Sequence, residues 1–128
     1  MQTIIMKNNK ILILGASGFI GLNIIKKISN ISNNKVYGTY LKKQPKINNK
    51  KIIWKKIDLT KDDKLSNFFK KFDTIINCAA TTSGSKDITQ KPYLHVTDNA
   101  IMNAKILQAA YNAKIKNFCF FSCTVMYP

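Results

Sequence analysis

Apolar residues fall along this chain in two kinds of block. Short runs at Lys10 to Leu14, Lys35 to Tyr40, Ile52 to Ile57, Thr74 to Cys78 and Asn117 to Ser122 are too brief for helices and rich in Ile, Val, Thr and aromatic residues. They predict five strands. Between them the period changes. Ile20, Ile24, Ile25 and Ile28 recur at helical spacing up to Ser29, and the cluster Asn30 to Asn34 ends that helix. Thr60 with Asp62 and Asp63 predicts a second helix start leading into Leu65 to Phe72, because a capping hydroxyl and acids in the first turn both favour a helix N-terminus. After the polar stretch Thr81 to Gln90, a third helix is predicted from near Pro92, with Val96, Ala100, Leu107 and Ala110 as its core face. Parallel strands need a crossover of a dozen or more residues, and the strand–helix alternation supplies one. The predicted fold class is α/β, a doubly wound parallel sheet of about five strands.

In such sheets ligands bind beyond the carboxyl ends of the strands, so the residues following each strand come next. The first strand runs into Gly15-Ala16-Ser17-Gly18-Phe19-Ile20-Gly21, a GxxGxxG with an apolar strand before it and an amphipathic helix after it. Gly15 permits the tight turn, Gly18 a close approach of backbone to a pyrophosphate, and Gly21 close helix–strand packing. The helix N-terminus offers N–H donors to the anion. A dinucleotide site usually adds an acid at the end of the second strand for the ribose hydroxyls of NAD.

Here the charge pattern changes the picture. All 21 basic residues are lysine, all 6 acidic residues are aspartate, and the net charge is +15. Residues 1–57 hold 12 of the lysines and no acid. The second strand therefore ends without a carboxylate, in Tyr40-Leu41-Lys42-Lys43, and two lysines suit a ribose 2′-phosphate. NADP is favoured as cofactor, with NAD the alternative. The same charge raises the possibility of a nucleic-acid-binding module. Against it, the lysines are dispersed, do not interleave with aromatics and accompany no helix-turn-helix or zinc pattern, so no nucleic-acid partner is expected. Cys78, Cys119 and Cys123 form no CxxC pair and sit in apolar runs, which predicts buried reduced thiols, with no disulfide framework and no metal site. No apolar run is long enough to span a membrane and no signal core follows the start, so a cytoplasmic protein without a membrane partner is expected.

These pieces together resemble the extended short-chain dehydrogenase/reductases, the NAD-dependent epimerase/dehydratase family with its Rossmann-like cofactor domain, over nearly the whole chain. GASGFIG is similar to the family's glycine motif, placing Gly15, Ser17, Gly18, Phe19, Ile20 and Gly21 at the cofactor. Asp58-Leu59 is similar to the pair whose aspartate contacts the adenine amino group. The run Asp73 to Ala80 resembles the fourth-strand motif, which implies that Cys78, Ala79 and Ala80 pass beside the cofactor ribose. Asn99, followed by Asn103, Ile106, Leu107, Ala109 and Ala110, resembles the helix whose asparagine ties neighbouring strands together. Within the family, the ending Phe121 to Pro128 and the stretch AATTSG are similar to the GDP-L-fucose synthase branch.

The resemblance also has departures. Family members place Ser or Thr four residues before a tyrosine, where its hydroxyl bonds the substrate oxygen undergoing redox change. Counting back from Tyr127 gives Cys123, with Ser122 and Thr124 beside it. Either the register is shifted and Ser122 or Thr124 donates, or the chemistry differs at Cys123, since a thiol is a poor replacement for a hydroxyl donor. The family's Tyr-x-x-x-Lys pair occurs at no tyrosine of this chain. Residues 1–128 are therefore expected to be a cofactor-binding domain cut off before the catalytic pair and the substrate domain, inactive alone. The resemblance implies a nucleotide-sugar substrate and a homodimer for the whole enzyme. A noncatalytic NADP-sensing protein of the same fold is the alternative.

Overall fold

The computed structural model describes residues 9–31, 35–81, 90 and 93–121. Strand β1 (Ile11–Leu14) leads through the glycine turn into helix α1 (Phe19–Ile31). Strands β2 (Val36–Tyr40) and β3 (Ile52–Lys56) follow, then α2 (Leu65–Phe69), β4 (Thr74–Asn77), α3 (Tyr93–Asn112) and β5 (Asn117–Phe120). The five strands form one sheet in the order β3-β2-β1-β4-β5, with all four pairings parallel. The chain therefore winds outward from β1 in both directions, as the strand–helix alternation predicts, and every strand ends on the same edge of the sheet.

Strand β1 is central and buried along its whole length because both its faces are covered. Ile11 and Ile13 turn towards α1, where they pack with Ala16, Ile25, Val36 and Ile52. Leu12 and Leu14 turn the other way, into a larger core with Leu65, Phe69, Ile75, Met102 and Ile106 beneath α2 and α3. At the N-terminal edge, Asp73 joins three segments. Its Oδ2 accepts the Lys10 backbone N–H at 3.1 Å and its Oδ1 lies 3.2 Å from Lys116 Nζ.

Several sequence expectations change. On α1, Ile25 is buried and Ile24 and Ile28 are half-buried, whereas Ile20 is 50% exposed, because the helix docks through Gly21, Ile25 and Ser29. Helix α2 starts later than Thr60 suggests. Thr60 turns its hydroxyl back to Asp58, Asp62 accepts the Lys64 N–H at 2.7 Å, and Lys64 caps the helix without a side-chain bond. The largest correction concerns α3. Val96, Ala100 and Leu107 are exposed; the core face is Met102, Ile106, Ala109 and Ala110. This helix carries two apolar stripes, each at helical spacing, and periodicity alone cannot say which one meets the sheet. Cys119 is exposed instead of buried, because it lies on edge strand β5. Cys78 is half-buried, and Cys123 lies outside the described residues. No described helix is long and apolar enough to cross a membrane.

Candidate functional site

The carboxyl edge of the sheet is where the chain makes its closest backbone crossings. Gly15 leaves β1 at φ +67°, and a Cβ built on it would lie 2.6 Å from Ala79 Cα and 2.8 Å from Ala79 N. The exit of β4 thus passes directly over the glycine turn, and both the left-handed conformation and the crossing exclude a side chain. Gly21 closes the turn from the other side, since its Cβ would come within 2.8 Å of Ala16 Cα. Gly18 differs. Its built Cβ meets nothing nearer than the Gly15 carbonyl oxygen at 3.4 Å, an ordinary contact, so packing inside the protein does not require glycine there. Its carbonyl accepts the Leu22 N–H at 2.8 Å and starts α1, leaving the helix N-terminus open to the same edge.

An open cleft of about 200 Å3 lies along this edge. The glycine turn contributes Gly15, Ser17 and Gly18, the end of β2 contributes Tyr40, and the end of β3 contributes Asp58 and Leu59. Cys78, Ala79 and Ala80 form the β4 wall. The fold therefore brings together the candidates that follow four separate strands. Phe19 and Ile20 open the first turn of α1, are 86% and 50% exposed, and do not line the cleft. Lys42 and Lys43 are exposed just beyond Tyr40 and do not line the cleft. Ser122, Cys123 and Thr124 lie outside the described residues.

The β4 wall is held by asparagines. Asn77, almost wholly buried, accepts the Ala79 N–H at 3.1 Å and donates to Asn103 Oδ1 at 3.2 Å. Asn99, one turn earlier on α3, accepts the Thr81 N–H at 2.8 Å and donates to the Thr81 carbonyl at 3.0 Å. Asn99 thus stands behind the wall and fixes it, outside the cleft lining. The surroundings of Cys78 favour the protonated thiol. Burial, with a smaller push from the Cys119 thiol, raises its pKa to about 11.

Asp58 is the carboxylate of the cleft. Its Oδ1 accepts both the Thr60 hydroxyl at 2.6 Å and the Thr60 N–H at 3.1 Å, while Oδ2 lies 3.9 Å from Lys61 Nζ and the Lys61 backbone N–H also bears on the carboxyl. The Thr60 hydroxyl, chiefly, holds its pKa below the ordinary value, against the opposing effect of burial, with the Thr60 N–H and Lys61 adding to the lowering. An ionised carboxylate with one oxygen oriented and the other lightly engaged can accept an amino group from a ligand. The sequence marks Thr60 as a helix start and not as the partner of Asp58, although Asp-x-Thr is the spacing at which an aspartate bonds the backbone two residues on. Thr39, buried beneath the glycine turn, was missed.

These residues fit a nicotinamide dinucleotide. The space above Gly18 is a cradle that a Cβ would fill, the start of α1 supplies donors for a pyrophosphate, and Asp58 supplies an acceptor for an exocyclic amine. The family model described as the NAD dependent epimerase/dehydratase family matches residues 11–128. Among solved structures, a UDP-N-acetylglucosamine 4-epimerase from Methanobrevibacter ruminantium M1, in complex with UDP-N-acetylmuramic acid, superposes with a TM-score of 0.78 at 26% identity, over 95% of this chain and 40% of that one. A UDP-glucose-4-epimerase from Stenotrophomonas maltophila, with bound NAD and formylated UDP-arabinopyranose, gives 0.77 at 16% identity, over 92% of this chain and 38% of that one. The chain thus spans about two fifths of the length of these structures. No curated protein matches the sequence.

Proposed function

The chain belongs to the NAD-dependent epimerase/dehydratase family, and from that premise we propose that it is the N-terminal, cofactor-holding part of an enzyme that epimerises, dehydrates or reduces a nucleotide-sugar. One observation carries the reading: the exit of β4 crosses Gly15 at backbone contact while Gly18, three residues on, is left open to the cleft. In this reading the first N–H groups of α1 bind the pyrophosphate, Asp58 Oδ2 takes the adenine amino group, and Ala79 and Ala80 flank the ribose. The nicotinamide supplies a hydride acceptor and donor. This chain's residues would hold the dinucleotide at its adenine, pyrophosphate and ribose groups. A hydroxyl from Ser122 or Thr124 is proposed to bond the reacting substrate oxygen, on the sequence likeness of residues 121–128 to the GDP-L-fucose synthase branch. Both solved structures described above are complexes with UDP-sugars. They support a nucleotide-sugar as the proposed substrate class, and the likeness to the GDP-L-fucose synthase branch is its finer form. The exposed apolar stripe of α3, including Val96, Leu107 and Tyr111, supports pairing of two copies.

NADP is the proposed cofactor, because the end of β2 offers Tyr40, Lys42 and Lys43 and no carboxylate. Fluorescence titration of the chain with NADPH and with NADH tests both levels of the proposal. NADPH is expected to bind about tenfold more tightly, and a double substitution Lys42→Ala with Lys43→Ala to remove most of that preference, increasingly so at low salt. Equal affinity for the two dinucleotides overturns the choice of NADP. If neither binds at millimolar concentration, the dinucleotide reading of the cleft fails.

A further inference from the structure

We propose that Thr39 is a positioning residue of the cleft, acting through the backbone of Gly15; the inference rests on the dinucleotide reading above. The β1–β2 pairing runs from Ile11↔Val36 to Ile13↔Gly38 and stops there. On the other side of β1 the Leu14 carbonyl still accepts the Cys78 N–H at 3.0 Å, but Gly15 has left the ladder. Its part-buried N–H is taken instead by a side chain, donating to Thr39 Oγ1 at 3.0 Å. Thr39 is 1% exposed and lies along the cleft. The Gly15 carbonyl, for its part, accepts the Gly18 N–H at 3.0 Å.

Gly15 is thus clamped at both ends of its residue, by β2 through the N–H and by Gly18 through the carbonyl. That clamping matters because glycine at positive φ has no side chain to restrict it, so its conformation must be imposed by partners. Where Gly15 points decides where Gly18 and the first N–H groups of α1 stand relative to the cleft. Thr39 therefore sets the aim of the anion-binding turn through the backbone of Gly15. Valine at this position keeps the branched shape and removes the oxygen, which leaves a buried donor without an acceptor. Serine keeps the oxygen and loses only a methyl group.

The test uses the full chain at a temperature well below its unfolding midpoint, with NADPH and NADH as probes. Thr39→Val is expected to weaken binding of the preferred dinucleotide by about tenfold or more, and Thr39→Ser to stay within about threefold of the parent. In parallel, hydrogen exchange followed by NMR should show the Gly15 amide protected in the parent and in Thr39→Ser, and fast in Thr39→Val. Should the valine variant not fold, Thr39→Ala carries the same expectations. A Thr39→Val chain that binds as tightly as the parent, or that keeps its Gly15 amide protected, overturns the proposal, because a merely stabilising threonine would change the melting temperature alone. If the parent binds neither dinucleotide, it is the reading of the cleft that fails, and the Gly15 amide then decides the role of Thr39 by itself.

Discussion

Two aspartates mark the two ends of the sheet, and they differ in what they have left to give. Asp73 stands at the N-terminal edge and Asp58 at the carboxyl edge; their side chains are 28% and 35% exposed, close enough that burial does not separate them. Asp73 spends both oxygens on the protein, one on the Lys10 N–H and one on Lys116. Asp58 takes both Thr60 donors on one oxygen, while the other is engaged more loosely, by Lys61, whose Nζ stands 3.9 Å away. The backbone around them differs as well. Side chains tie the backbone at both edges, but the carboxyl edge adds the Gly15 and Gly21 crossings, which leave no room for a side chain. Residue type and exposure do not separate the two carboxylates; the looser engagement of one Asp58 oxygen does, and it is what makes Asp58 the proposed ligand-binding one.

The comparison breaks most severely at Gly15. Gly15→Ala places a methyl in a left-handed residue and 2.6 Å from the Ala79 backbone, with no flexible neighbour to yield. A loss of about 3 kcal/mol or more is expected in urea unfolding, a large share of the stability of a domain this size. Gly18→Ala sharpens the contrast within one turn. Its methyl has room in the protein, so unfolding should change by no more than about 1 kcal/mol, mostly from a poorer helix N-cap. Dinucleotide affinity should nonetheless fall by about tenfold or more, because the methyl occupies the space where a pyrophosphate would approach. A Gly18→Ala chain that binds like the parent would remove the cradle from the argument and leave only a folding turn.

How much of this could be read beforehand follows from which contacts are local. The strands were legible because each is a brief apolar run closed by a turn, and the glycine turn because its spacing is fixed by one strand end and one helix start. Asp58 and the Asn99 helix were legible through family likeness, which also carried Cys78, Ala79 and Ala80 to the cleft. The face of α3 was not legible. Met102 and Ile106 compete with Val96 and Leu107 at the same period, and only the position of the sheet separates them. Thr39 was hidden for a similar reason: its bond to Gly15 spans 24 residues and depends on β2 lying beside β1. Lys42 and Lys43 were legible as charges, while their place outside the cleft lining required the fold.

The smallest expected effect separates the two aspartates directly. The Lys10 N–H first, and Lys116 after it, hold the Asp73 carboxyl below its ordinary value of 3.8. Its folded pKa thus lies under its unfolded one, so the stability it contributes is complete above the unfolded value and is lost as pH falls through the folded value. Asp58 and Asp63 are lowered in the same sense, by the Thr60 hydroxyl and by Lys105, so the whole domain should weaken on acidification below about pH 4. Asp73→Asn should cost about 1 kcal/mol at neutral pH, since the amide keeps one acceptor and loses the charge, and should flatten part of the acid slope in a urea series. It should leave dinucleotide affinity unchanged. Asp58→Asn should reverse that balance: the amide oxygen can still meet Thr60, but the group that replaces Oδ2 is a donor and repels an adenine amine. If Asp73→Asn weakens binding as much as Asp58→Asn does, the two ends of the sheet are coupled, and the looser engagement of Asp58 no longer explains why the ligand site lies where it does.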